Sequence, residues 1–251
     1  MTDPTRKSSP AIRGLFITGT DTGVGKTVFT AALAARLRAE GRDVVALKPF
    51  ASGGVTIDGR RLSADTLFIE EAARSGEAPD ELTPELFDAP LAPSVAARLE
   101  GRRVDVGRVA EHCRRVAGRH EVALVEGVGG LLAPLSEDAV VADFAAALDL
   151  PLVVVARPGL GTLNHTALTV ECARARGLRL AGIVLSGYPG SPGLAERTNP
   201  AELERLTGLE VLAQLPIADG LDVESMQRGD WGAVVAEIMP SKFIARRGAC
   251  R

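Results

Sequence analysis

Five aliphatic runs punctuate the chain: "LFIT" from Leu15, "VVAL" from Val44, "VALVEG" from Val122, "LVVVA" from Leu152 and "AGIVLS" from Ala181. Each is followed by a loop and then by an alanine-rich stretch with apolar positions at helical spacing. Continuous rather than alternating apolar runs suit strands buried on both faces. The pattern therefore predicts an α/β fold of three layers, a mostly parallel sheet with helices on both faces. After the first run, Lys26 to Glu40 places Val28, Ala31, Leu33, Ala34 and Leu37 on a helical spacing that ends at Gly41. The loop at 19–25 therefore joins a strand to a helix.

Two stretches break the alternation. Residues 76–93 carry Pro79, Pro84, Pro90 and Pro93, which predicts an excursion over the surface, placed to cover a site. "SGYPGSPGLAERTNP", from Ser186, reads as irregular chain between the strand ending near Leu185 and the next helix, where such sheets present ligand-binding loops. The polar start, "MTDPTRKSSP", reads as a loose tail over 1–10, and the basic "SKFIARRGACR" as a second tail over 241–251. Between them, 11–240 forms one α/β domain.

Composition narrows the function. Hydrophobic residues make up 46% and aromatic residues 4%, so the core is built from Ala, Val, Leu and Ile. A formal charge of −3 provides no general field for nucleic acid or an acidic membrane, so an anionic ligand must be held locally. Neither a signal-peptide run nor a stretch of membrane-spanning length is present, and the expected location is cytoplasmic. Cys113, Cys172 and Cys250 lack metal-ligand spacing and read as reduced thiols.

The local anion holder is "GTDTGVGKT", Gly19 to Thr27. The standard phosphate-loop spacing needs glycine at position 20, where this chain has Thr20. A loop that leads from strand to helix nonetheless points backbone N–H groups at an anion. Gly23 and Gly25 allow close approach, Lys26 supplies a point charge for the outer phosphates, and the Thr27 hydroxyl suits Mg2+. Magnesium needs a further oxygen ligand at a neighbouring strand tip, and Glu126 stands there, followed by the flexible "GVGG" turn. Only four of the 29 basic residues are lysine: Lys7, Lys26, Lys48 and Lys242. Lys48 ends the second strand in "VVALKPFASGG", again at the ligand edge. A compact ammonium there points to catalysis. Pro49 stops the strand and "ASGG" supplies a hydroxyl, Ser52, on a flexible turn.

In this order, "GTDTGVGKT", "KPFASG", "VEGVGG" and "GTLNH" resemble the dethiobiotin synthetase family over most of the chain. That family's phosphate loop has this longer form. The resemblance implies a P-loop-type fold and ring closure of dethiobiotin from 7,8-diaminopelargonic acid and carbon dioxide or bicarbonate, driven by ATP and Mg2+. A carbamate forms on one amine, takes the γ-phosphoryl group, and loses phosphate to the second amine. It further implies Mg2+ on Thr27, Asp65 and Glu126, and catalytic roles for Lys26, Lys48, Thr22 and Ser52. Nucleotide binding falls to Gly23, Val24, Gly25, Lys26, Thr27, Val28, Asp65, Glu126, Gly127, Val128, Gly129, Ser186, Gly187 and Pro216. Substrate binding falls to Ser52 and, from the partner of a homodimer with its active site at the interface, to Gly161, Thr162 and Asn164. By its residue type and spacing alone, Asp65 reads equally as a helix-start acid. His165 reads as a capping or packing residue.

One departure concerns the base. Many members carry Asn-Asp where this chain has Ser186 and Gly187, which discriminate less than an amide, so other nucleoside triphosphates are expected to serve. The nearest rival is a partitioning or cell-division ATPase switch. Those carry a signature lysine where this chain has Asp21, of opposite charge. A cobyrinate-type amidating synthetase needs a glutamine-hydrolysing domain for which the chain is too short.

Overall fold

The protein is described by a computed structural model over residues 13–244. In chain order the elements are β1 (Gly14–Gly19), α1 (Lys26–Ala39), β2 (Val44–Leu47), β3 (Phe50–Ser52), β4 (Val55–Ile57), β5 (Arg60–Leu62), α2 (Ala64–Ala73), α3 (Pro79–Leu82), β6 (Glu85–Phe87), α4 (Pro93–Leu99) and α5 (Val106–Ala117). They continue with β7 (Val122–Glu126), α6 (Val141–Leu148), β8 (Leu152–Ala156), α7 (Thr162–Ala175), β9 (Leu180–Tyr188), α8 (Leu194–Thr207), β10 (Val211–Pro216), β11 (Leu221–Asp222), β12 (Gln227–Arg228) and α9 (Trp231–Ala236).

The main sheet has the order β10-β9-β8-β1-β7-β2, and its pairings are parallel. Its two faces are both buried, as the unbroken apolar runs require. Along β1, Leu15 and Ile17 join the cluster under α1 and α2, while Phe16 joins the cluster under α5 and α6. Side chains alternate across a strand, so each run feeds two cores. The three-layer expectation is met.

Four local expectations change. β10 was missing from the sequence pattern because it is an edge strand, and exposed Gln214 interrupts its apolar run. Residues 76–93 are not a surface excursion: β6 pairs in parallel with β3, from Phe50↔Glu85 to Ser52↔Phe87, and Leu82 and Phe87 are fully buried. Two of the prolines, Pro79 and Pro93, start the short helices α3 and α4, where the missing N–H has no intrahelical partner to lose. Ser52 thus ends a strand, and the turn begins at Gly53, with φ 73°. Lastly, "SGYPGSPGLAERTNP" is largely ordered, since β9 runs on to Tyr188 and α8 begins at Leu194.

The expected C-terminal tail starts too early. Phe243 and Ile244 are buried, and the Phe243 ring lies 5.2 Å from Phe29 of α1. The rest of that tail, and the expected tail at 1–10, fall outside the described residues.

Candidate active site

Strand order builds the site. β7 lies between β1 and β2, so the phosphate loop after β1, Glu126 at the end of β7 and Lys48 after β2 meet at one carboxyl edge. The register pairs Leu47 with Val125 and so sets Lys48 beside Glu126.

The loop enters α1 through Gly25, at φ 94° and ψ 21°, a left-handed conformation that glycine adopts without strain. Space also demands glycine: a Cβ there would lie 2.1 Å from Ser186 Oγ. Ser186 is therefore buried against the root of the phosphate loop. Gly187 follows at φ 80°, and Pro216 is the register partner of Tyr188 at the ends of β9 and β10. Gly127 is also confined, with Phe16 and Val141 each 3.2 Å from the point where a Cβ would stand. Gly129, at φ 59°, brings the "GVGG" turn beside Thr22, whose Oγ1 is 3.6 Å from the corresponding point.

Lys48 is 4% exposed, and its Nζ lies 2.5 Å from Glu126 Oε1 and 2.7 Å from Asp65 Oδ2. Asp65 arrives in the first turn of α2, a helix that Ser63 caps by accepting from Thr66 N at 3.2 Å. Thr27 Oγ1 donates to Glu126 Oε1 at 2.8 Å. The five groups expected from sequence at the phosphate end, Lys26, Thr27, Lys48, Asp65 and Glu126, thus converge. Burial opposes the Lys48 charge, but the two carboxylates outweigh it and hold this ammonium above its ordinary range. For Asp65 burial acts upward, and the Lys48 charge and hydrogen bond, with Thr27 and Lys26, bring the carboxyl below its ordinary value.

Lys26 behaves differently. Its Nζ donates to Asp21 O at 2.8 Å, and burial, followed by repulsion from Lys48, lowers it to about 8 despite Glu126, Asp65 and Asp21. Phosphate binds the charged form. Nucleotide affinity is therefore expected to be full well below pH 8 and to fall as pH rises through it, by up to about tenfold per pH unit above it, with proton uptake on binding. Titration calorimetry at pH 7 and pH 9 in buffers of different ionisation heat reads both.

Glu126 is 0% exposed, and its Oε2 has no hydrogen-bond partner among the described residues. A buried carboxylate oxygen without a donor suits a metal ligand. Among the described residues no three His, Cys, Asp or Glu side chains gather into a cage. Magnesium asks for less: a hydroxyl, one or two carboxylates and the substrate's phosphates, which is the oxygen set of Thr27, Asp65 and Glu126.

The start of α7 lies after β8, on the other side of β1. Gly161 caps it at φ 89°, Thr162 is buried, and Asn164 and His165 are exposed. His165 N bonds to Gly161 O at 3.1 Å in the helix's first turn, a backbone contact that any residue there would make. Sequence reasoning overlooked Arg157, which follows β8 and donates from Nη2 to Thr22 O at 3.2 Å. In a chain where all but four of 29 basic residues are arginine, no single arginine stands out.

A family model described as an AAA domain matches residues 13–225. The ATP-dependent dethiobiotin synthetase BioD of Anaeromyxobacter sp. (strain Fw109-5) is 54% identical over 218 residues, covering 86% of this chain and 95% of the relative. That of Bacillus subtilis (strain 168) is 45% identical over 205 residues, covering 82% and 87%. Among solved structures, the septum site-determining protein MinD complexed with Mg-ADP from Pyrococcus horikoshii OT3 aligns with a TM-score of 0.50 at 18% identity, covering 92% of this chain and 88% of that one. At that identity the likeness is one of fold alone.

Proposed function

The chain belongs to the ATP-dependent dethiobiotin synthetase family, and from that premise we propose how its residues divide the work. The activity is ATP-driven closure of the ureido ring of dethiobiotin from 7,8-diaminopelargonic acid and carbon dioxide, a carbon–nitrogen ligase step of biotin biosynthesis. The cell-division reading has only the shared fold in its favour, and Asp21 stands where those switches need a lysine.

The backbone from Gly23 to Val28 and the Gly127–Gly129 turn would cradle the phosphates, with Lys26 on the outer ones. Thr27, Asp65 and Glu126 would hold Mg2+, which when bound neutralises phosphate charge. Carbamate and γ-phosphate are both anions, so the task left to the protein is alignment and charge compensation as they approach. Lys48 supplies the charge, while Thr22 and Ser52 position the carbamate-bearing amine. The second amine then attacks the activated carbonyl and phosphate leaves, with no covalent enzyme intermediate. Ser186 packed under Gly25, followed by a glycine, leaves little to read a base edge, so other nucleoside triphosphates serve.

The partner's Gly161, Thr162 and Asn164 complete the site in a homodimer, the helix start taking the substrate carboxylate. Leu160, 95% exposed directly before α7, and Leu168, 62% exposed on it, support a covered surface there. Leu160→Asp is expected to shift the protein toward monomer in sedimentation and to raise KM for the diamine about tenfold or more. A cytoplasmic location belongs to the same reading, with Cys113 and Cys172 free.

The buried junction of Lys48 with Asp65 and Glu126 beside the phosphate loop is the observation that carries this proposal. Phosphate release with ATP, Mg2+ and bicarbonate tests it. Release should depend on 7,8-diaminopelargonic acid, and diamine-independent hydrolysis alone would sink it.

A further inference from the structure

Arg157 stands on the side of the phosphate loop opposite Lys48 and Glu126. β8 is parallel to β1, with Gly19 paired to Val155 and Thr20 N bonded to Val155 O at 3.0 Å, so the first residues after β8 run beside the loop. The Arg157 guanidinium bonds Thr22 O and lies 3.8 Å from the point where a Cβ on Gly23 would be. It is exposed, and among the described residues no carboxylate pairs with it. One N–H is used on the loop, and the rest of the fork is available to an anion.

The segment carrying this arginine is fixed. Pro158 is buried, and Asn199 of α8, 5% exposed, donates from Nδ2 to Pro158 O at 2.7 Å and to Gly159 O at 3.2 Å. Thr162 N closes the turn on Gly159 O at 3.2 Å. A buried amide spent on two carbonyls of one loop fixes the chain immediately after Arg157 and so the direction in which its side chain leaves. In a phosphate loop the residues before the last glycine would arch over the outermost phosphates, and Thr22 and Gly23 occupy those positions here.

We propose that Arg157 contacts the γ-phosphoryl group of the nucleotide and stabilises it during transfer, as a guanidinium supplied by the same chain. This deepens the synthetase reading and rests on it. The carbamate oxygen forms the new bond to phosphorus, the bond to the β-phosphate oxygen breaks, ADP leaves, and Arg157 neutralises charge without moving a proton. Lys26 and Lys48 act from the other side, so the transferring group is flanked by three cations.

The test compares Arg157→Gln and Arg157→Ala with the unaltered chain. Calorimetry in Mg2+ gives affinities for ADP and for the non-hydrolysable triphosphate AMP-PNP, and steady-state assays give kcat and KM for the diamine. Both variants should bind AMP-PNP about tenfold or more weakly, keep ADP within about twofold, and lose about a hundredfold in kcat with the diamine KM unchanged. Equal weakening of ADP and AMP-PNP, or a defect in Ala that Gln restores, would assign the residue to holding the loop and overturn the proposal. So would a raised diamine KM with AMP-PNP binding intact, or no change at all. If the unaltered chain showed no diamine-dependent phosphate release, the synthetase reading would fail, while the AMP-PNP to ADP ratio would still report on the γ-phosphate contact.

Discussion

Lys48→Ala is expected to lower the diamine-dependent rate about a hundred- to a thousandfold, roughly 3–4 kcal/mol of transition-state stabilisation. The ammonium is buried, its charge is secured by Asp65 and Glu126, and its position is fixed before substrates arrive. A pre-placed charge costs no reorganisation when two anions are pressed together. Removing it also leaves two carboxylates facing each other, one of them wholly buried, so stability should fall by about 3–5 kcal/mol. Single-turnover phosphate release and thermal unfolding of the same variant separate the two losses. Lys48→Arg should not restore the rate, because a planar fork does not fit where a point charge bridges two acids. A variant that kept wild-type turnover would remove Lys48 from the chemistry.

Gly25→Ala is expected to destabilise the chain and to abolish nucleotide binding at the same time. At φ 94° an alanine carries left-handed strain of about 1–2 kcal/mol, and its Cβ would lie 2.1 Å from Ser186 Oγ and 2.7 Å from Ser186 Cβ. Together these should cost about 3 kcal/mol or more, a fall of roughly 6–12 °C in Tm for a chain of this size. Nucleotide binding should be lost with it, since Lys26 and Thr27 follow directly. The double variant Gly25→Ala, Ser186→Gly removes both clashing atoms and leaves the backbone strain. It should therefore regain part of the Tm, and no recovery would mean that contact with Ser186 is not what confines this position.

The sequence by itself carried the layers and the phosphate end of the site. Aliphatic runs such as "LVVVA" can be buried on both faces only in a covered sheet, and the Lys26-Thr27 pair at a helix start needs no distant partner to be recognised. Local chemistry is written locally. Family motifs brought Asp65 and the α7 start into view, which residue type alone left open.

Only the tertiary structure decided the rest, wherever a residue's meaning depends on what comes from elsewhere in the chain. Gln214 hides β10 because an edge strand faces water, and the prolines at 76–93 hide β6 because the strand it pairs with is 35 positions upstream, at Phe50↔Glu85. Ser186 is a packing partner of Gly25 across a gap of 161 residues, a contact no pattern announces. Arg157 is one arginine among many until β8 is laid beside β1. Its proximity to Thr22 is a product of sheet order, and sheet order is set by how buried faces pack, a collective property that no single stretch encodes.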